Sequence, residues 1–273
     1  MLKKTFLLSS LVILSACNES DSNDVSTDRL VLDATLSAEA DTAKINASLG
    51  KEKSSVVIVL NGGDFFQITD NKTTTVMGQE SNIVNDTYYR ATLPLNTSNT
   101  YKIIFNRAAQ NQKFESTFPT IPPAFNIVYP TEKQKFSLVA TPQLNVEWDT
   151  KINSEKLKLS GYYDCAWITN PAVYNTQSQT TTTELNKGRT IDITIDDKQK
   201  NARIIPLEMK ETLQFITDNL KSEYPNTSFT FNNCVIDLKL VAQNFSSAHS
   251  EFSSKSSLSS IRESNSIQVI LTP

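Results

Sequence analysis

His249 is the only histidine in this chain of 273 residues, so any serine-histidine-aspartate triad would have to pass through it. It stands in FSSAHSEFSSKSSLSSIRES, a serine-rich and glycine-free stretch that reads as a loop or a flexible hairpin end. Serines are abundant there by composition, and no Gly-x-Ser-x-Gly elbow occurs anywhere in the chain. A metal site would need clustered histidines, paired cysteines or converging carboxylates, and the only suggestion is Asp196-Asp197 at a strand end. That pair reads as a solvated turn, with calcium binding as the minor alternative. No glycine-rich phosphate loop is present. The inventory argues against an enzyme, implies no cofactor and no metal, and leaves an envelope hydrolase as the weakest of three functional readings.

Binding chemistry has a better candidate in GYYDCAWITNPAVY, which sets Tyr162, Tyr163, Trp167 and Tyr174 around Cys165. In a structural reading, alternate members such as Tyr163 fill the core while the others shield a disulfide. In a functional reading, Tyr162 and Trp167 stay exposed as a platform for a sugar ring or for the apolar anchor of a partner. Trp148 is in register with Leu144 and Val146 and belongs to the core.

The compartment follows from the first residues. Lys3 and Lys4 precede an apolar run from Phe6 to Ala16, broken only by serines, which is too short for the roughly 20 residues that a membrane-spanning helix needs. The run ends in Leu14-Ser15-Ala16-Cys17, which resembles the lipobox of bacterial lipoproteins. That resemblance implies cleavage before Cys17, acylation of Cys17 and a lipid anchor. Asn18 stands where the family's inner-membrane retention signal places an aspartate, so the resemblance further implies sorting to the outer membrane, facing either periplasm or exterior. Loss of Lys3 and Lys4 moves the formal net charge from −3 to −5. A mildly acidic chain has no electrostatic case for nucleic acid. With Cys17 acylated, Cys165 and Cys234 are the remaining cysteines in an oxidising compartment, and their default reading is a disulfide.

The elements that position these residues are strands. NESDSNDVSTD is polar and acidic, so residues 17–28 after the signal (1–16) read as a disordered tether. The proline-rich stretch PTIPPAF divides the remainder into 29–119 and 120–273. In the first part, Leu30, Leu32, Ala34 and Leu36 share a strand face, as do Ile45, Ala47 and Leu49, then Tyr101, Ile103 and Phe105. In the second, Leu157 and Leu159, then Ile191 and Ile193, then Cys234, Ile236, Leu238 and Leu240 repeat the plan. Met209, Leu213, Ile216 and Leu220 recur at helical spacing and predict one amphipathic crossover helix near 207–221.

This pattern resembles tandem immunoglobulin-like or fibronectin-like domains, which implies a mainly β fold of two β-sandwich domains, the second carrying the inserted helix. Cys234 matches the strand F position of that family, whereas Cys165 follows the third strand and does not match strand B. The reading favoured overall is a non-enzymatic binding or structural lipoprotein with an unknown protein or glycan partner. The alternative is a carbohydrate-binding or adhesin-like module using residues 162–174.

Overall fold

Period-two apolar alternation dominates the chain, and in the computed structural model it produces a mainly β protein. The structure describes residues 19–81, 87–98, 100–140, 144–175, 179–196, 201–204 and 206–273. The signal segment, Cys17 and Asp197 lie outside the described residues. No helix among the described residues is long and apolar enough to cross a membrane.

Ten strands precede the proline-rich stretch: β1 (Glu19–Asp21), β2 (Leu30–Glu39), β3 (Thr42–Lys51), β4 (Val57–Val59), β5 (Phe65–Thr69), β6 (Thr74–Val76), β7 (Gly78–Ser81), β8 (Thr87–Pro94), β9 (Lys102–Arg107) and β10 (Gln112–Thr117). After it come β11 (Ile127–Tyr129), β12 (Gln134–Ser137), β13 (Leu144–Trp148), β14 (Lys156–Asn175), β15 (Thr180–Thr194) and β16 (Asn201–Ile204). The helix α1 (Pro206–Glu223) then leads to β17 (Ser228–Ser247), β18 (Ser257–Glu263) and β19 (Ile267–Thr272). Pro206 occupies the first helical position, where a missing amide hydrogen costs nothing.

One twelve-stranded sheet contributes to both cores in the order β1-β4-β3-β2-β18-β17-β14-β15, with β8 and β7 beyond part of β3, and β19 and β12 beyond part of β17. A four-stranded sheet, β10-β9-β5-β6, and a three-stranded sheet, β11-β13-β16, complete the fold. Two cores result. The first gathers Leu30, Leu36, Ile45 and Leu49 from the large sheet with Phe66, Ile103 and Phe105 from the four-stranded one. The second gathers Leu157, Tyr163, Ile236 and Leu240 with Val146 and Trp148, under Met209, Leu213, Ile216 and Leu220 of α1.

Residues from the end of the chain cross the division at 119/120. Phe252 and Leu258 are buried in the first core, and β18 pairs in parallel with β2, Leu258 opposite Ala34. The serine-rich stretch read as a loop or flexible hairpin end divides in the structure: residues 248–256, with His249, are the connection between the antiparallel strands β17 and β18, while its two ends are strand, and Ser259 and Ser260 are buried. Serine is small enough to lie between packed layers, and its hydroxyl satisfies carbonyls that the strands leave open. Ser260 Oγ and Asn244 Nδ2 both donate to the Thr120 carbonyl (2.8 and 2.7 Å), and Ser246 Oγ donates to that of Thr117 (2.9 Å).

The disordered tether expected over 17–28 is corrected from residue 19 onward. β1 pairs in parallel with β4, and Ser22, Val25 and Thr27 are buried. Low apolar content misleads here because the polar groups find buried partners. Arg107, only 1% exposed, donates from Nη1 to Thr27 Oγ1 (2.9 Å) and from Nη2 to the Ser22 carbonyl (2.7 Å). Asp64 accepts from Ser22 Oγ and from the amide of Ala108, both at 2.9 Å, with its Oδ2 3.8 Å from Arg107 Nε.

Arg107→Met leaves the Asp64 carboxylate buried without its cation and should destabilise the fold by about 3 to 5 kcal/mol. Urea unfolding measures this, and adding Asp64→Asn should recover part of the loss. A change below about 1 kcal/mol for Arg107→Met would mean that the N-terminal segment is not held by this network.

Candidate interaction surface

Cys165 and Cys234 face each other in register on the adjacent strands β14 and β17, and they form a disulfide with Cα atoms 4.0 Å apart. The bridge stitches neighbours within one sheet, unlike the inter-sheet bridge between strands B and F of immunoglobulin domains. Its neighbours on the same face of β14, Tyr163 and Trp167, are buried in the second core. Trp167 is 1% exposed, donates its Nε1–H to Thr217 Oγ1 on α1 (3.1 Å), and meets the Phe231 ring edge-on at 6.0 Å. The expectation that Trp167 belongs to a binding surface is therefore corrected. Alternation carries Trp167 inward with Tyr163 and Cys165, and the helix supplies the partner that its indole nitrogen needs.

Tyr162 points the other way and is 46% exposed. It pairs in register with Thr190 of β15 and Asp237 of β17. Its ring crosses onto β15 above Gly188, where an added Cβ would lie 2.8 Å from the ring's Cζ, so a larger residue there would displace the exposed ring. Tyr162 and Trp167 thus lie on opposite faces of one strand and cannot share a surface. Tyr174 is also exposed.

The other residues singled out from the sequence are structural or isolated. His249 donates its backbone amide to Ser116 Oγ (2.9 Å), accepts from the Glu251 amide through Nδ1 (3.2 Å), and packs its ring edge-on against Phe114. Its Nδ1 is thereby occupied within its own turn. Asp196 is exposed beyond the end of β15. No group of three or more histidine, cysteine or carboxylate residues that could hold a metal occurs among the described residues.

A surface that the sequence reading missed lies where α1 rests beside β15. Arg189, Ile191 and Ile193 project from the helix-facing side of β15, in register with Tyr163, Gly161 and Leu159 of β14. Together with Glu211, Thr212 and Phe215 of α1 they line a cleft of about 370 Å³. Phe215 is 51% exposed, and the Arg189 guanidinium sits 3.9 Å from its ring centroid. That is a close cation–π contact on an exposed face, worth about 0.5 to 1 kcal/mol. On the opposite side of β15, hydrogen bonds from Ser160 and then Lys158 hold the Asp192 carboxyl below the usual carboxylate range. Two larger clefts, of about 430 and 390 Å³, lie at the Glu39–Asn265 junction and beside Val31 and Tyr88. The signal for Phe215 was present in the sequence: it falls off the Met209-Leu213-Ile216-Leu220 stripe, so the helix had to present it away from the core.

No family model matches this chain, and neither does any curated protein. Among solved structures, it is similar to a cytokine receptor complex at 8% identity, over 86% of this chain and 94% of that one, with a TM-score of 0.26. It is similar to the first two immunoglobulin domains of DIP-gamma at 8% identity, over 89% and 94% of the two chains, with a TM-score of 0.22. A fragment of titin with three immunoglobulin domains matches at 8% identity, over 88% of this chain and 64% of that one, also at 0.22. Overlaps this low assign neither a family nor a role.

Trp167→Ala should cost about 3 to 5 kcal/mol, as expected for a buried indole, whereas Tyr162→Ala and Phe215→Ala should each cost under about 1 kcal/mol. Chemical denaturation of the three variants checks the division into core and surface. Equal losses for Trp167→Ala and Tyr162→Ala would contradict it.

Proposed function

We propose that this chain is a lipid-anchored, non-enzymatic binding module of the bacterial outer membrane, composed of two immunoglobulin-like β-sandwiches divided near residue 120, the first extended by residues 19–28 and completed by Phe252 and the strand β18 from the end of the chain. The observation that carries a binding role is the half-apolar cleft between α1 and β15, with the exposed Phe215 and the half-buried Arg189 lining it, on a body whose remaining large aromatics are mostly buried among the described residues. A binding module needs an ordered surface of mixed character that does not have to rearrange, because ordering loops on association costs affinity.

The lipobox-like Leu14-Ser15-Ala16-Cys17 after Lys3-Lys4 supports the anchor. Glu19 already belongs to β1, so only Asn18 separates it from Cys17, a reach of about 7 Å over two fully extended Cα–Cα steps. An acylated Cys17 would hold the folded body directly against the bilayer, with no tether of a dozen residues between them. Three acyl chains would anchor far more firmly than the marginal hold of one, at about 0.8 kcal/mol per buried CH₂.

A glycan-binding reading has one observation in its favour. The Tyr162 ring lies over Gly188 with nearly half its surface free, as a sugar-stacking platform requires. Trp167 takes no part in it.

Cys17→Ser should shift the protein from the outer-membrane fraction to the soluble fraction, or leave an uncleaved precursor. Fractionation on a density gradient with mass measurement of the mature N-terminus reads both results. A variant that fractionates and migrates like the unaltered chain would refute the anchor.

A further inference from the structure

The sheet edges of this molecule are unequal. In the twelve-stranded sheet the strands with one described neighbour are β1, of three residues, β7 and β12, of four each, and β15, of fifteen. Short edges offer little to a foreign strand, whereas a long one presents a row of open amides and carbonyls. β15 pairs with β14 from Thr180 to Thr194, and among the described residues nothing pairs with its other side. No proline interrupts it.

The cleft lies along this edge. Arg189, Ile191 and Ile193 are alternate residues on the side facing α1, so a strand added to β15 would send its own alternate side chains into the same space against Phe215 and Thr212. Strand addition of this kind draws affinity from main-chain hydrogen bonds and selectivity from the pockets that take alternate side chains.

Charge narrows the occupant. Lys187 and Arg189 share the helix-facing side; Lys187 meets Glu223 at 3.3 Å, while Arg189 stacks on Phe215 and has no ion pair among the described residues. A second copy of the chain would meet like charges in the three registers centred on residues 187–189. Antiparallel self-pairing centred on Lys187 or Arg189 sets that cation against itself, and centring on Gly188 sets Lys187 against Arg189 and Glu184 against Asp192. Like charges directly opposite one another destabilise a strand pair. A carboxylate in that place would instead meet the planar guanidinium of Arg189.

We propose that β15 and α1 form an acceptor for an extended segment of another protein, one that adds as a strand to β15, places large apolar side chains at alternate positions in the cleft, and sets a carboxylate against Arg189. This rests on the binding-module reading and specifies its site.

The test uses the mature chain with Cys17→Ser for solubility and three synthetic twelve-residue peptides. One alternates threonine with valine and carries a central aspartate on the valine side; the second has lysine in place of the aspartate; the third has two prolines in place of threonines. Fluorescence anisotropy should show the aspartate peptide binding at least tenfold more tightly than the other two. A photoreactive group in that peptide should crosslink to residues 186–193 or to α1. Arg189→Glu should reverse the preference between aspartate and lysine, and Phe215→Ala should weaken binding about tenfold, both with thermal melts lowered by no more than about 4 °C. Equal binding of all three peptides, no binding, an unchanged preference in Arg189→Glu, or crosslinks mapping elsewhere would overturn the proposal. Envelope crosslinks of the anchored chain that persist in Arg189→Glu and Phe215→Ala would overturn this site while leaving the binding-module reading in place. Their complete absence in the unaltered chain would count against that reading itself.

Discussion

β17 is the strand through which the two cores are joined: its buried side chains line the second core, its pairing with β18 leads to the first, and the rest of the architecture depends on it. Along one side it pairs with β14 from Ser228 to Gln243; along the other it pairs first with β19, from Cys234 to Leu238, and then with β18, from Val241 to Ser247. A backbone passing between two apolar cores has to satisfy its amides and carbonyls internally, and this double pairing does so. β18 in turn lies on β2, so hydrogen bonding continues from one core to the other without passing through the proline-rich stretch. The relative placement of the two cores is set by the sheet, while residues 117–120 receive hydrogen bonds from Asn244, Ser246 and Ser260.

The same continuity determines where the molecule is closed and where it is open. At one end the short β1 is held by the Arg107 and Asp64 network, and an acylated Cys17 would place that end against the membrane. At the other end β15 stands at the limit of the sheet beside α1. The proposed anchor and the open edge would thus fall at opposite ends of one sheet order, and the proposed contact surface would be the part furthest along the sheet from the lipid.

Much of the fold was legible because alternation of apolar residues is a local property. The faces assigned to Leu30 through Leu36, to Ile45 through Leu49 and to Cys234 through Leu240 are buried as read, and the stripe from Met209 to Leu220 packs on the second core. Trp167 was misread although the same rule covers it: alternation from Tyr163 through Cys165 carries it inside, and grouping it with Tyr162 ignored that parity. Residues 19–28 and the strand-forming ends of the serine-rich stretch were misread for another reason, whereas its middle, residues 248–256, is the loop that was read. Their burial depends on Arg107, Asp64 and the Thr120 carbonyl, partners distant in the chain, and composition does not reveal such pairings. The contact of Arg189 with Phe215 was hidden in the same way, because it requires α1 to return beside β15.

The measurement that bears most directly on the shared-strand account is native-state amide hydrogen exchange resolved by residue under increasing denaturant. The account predicts that amides of Cys234–Leu240, Val241–Ser247 and Leu30–Leu36 exchange through one common opening, with the same free energy and the same denaturant dependence. Exchange of Val241–Ser247 and Leu30–Leu36 at a distinctly lower free energy than Cys234–Leu240 would contradict it, since the two cores would then open as independent units.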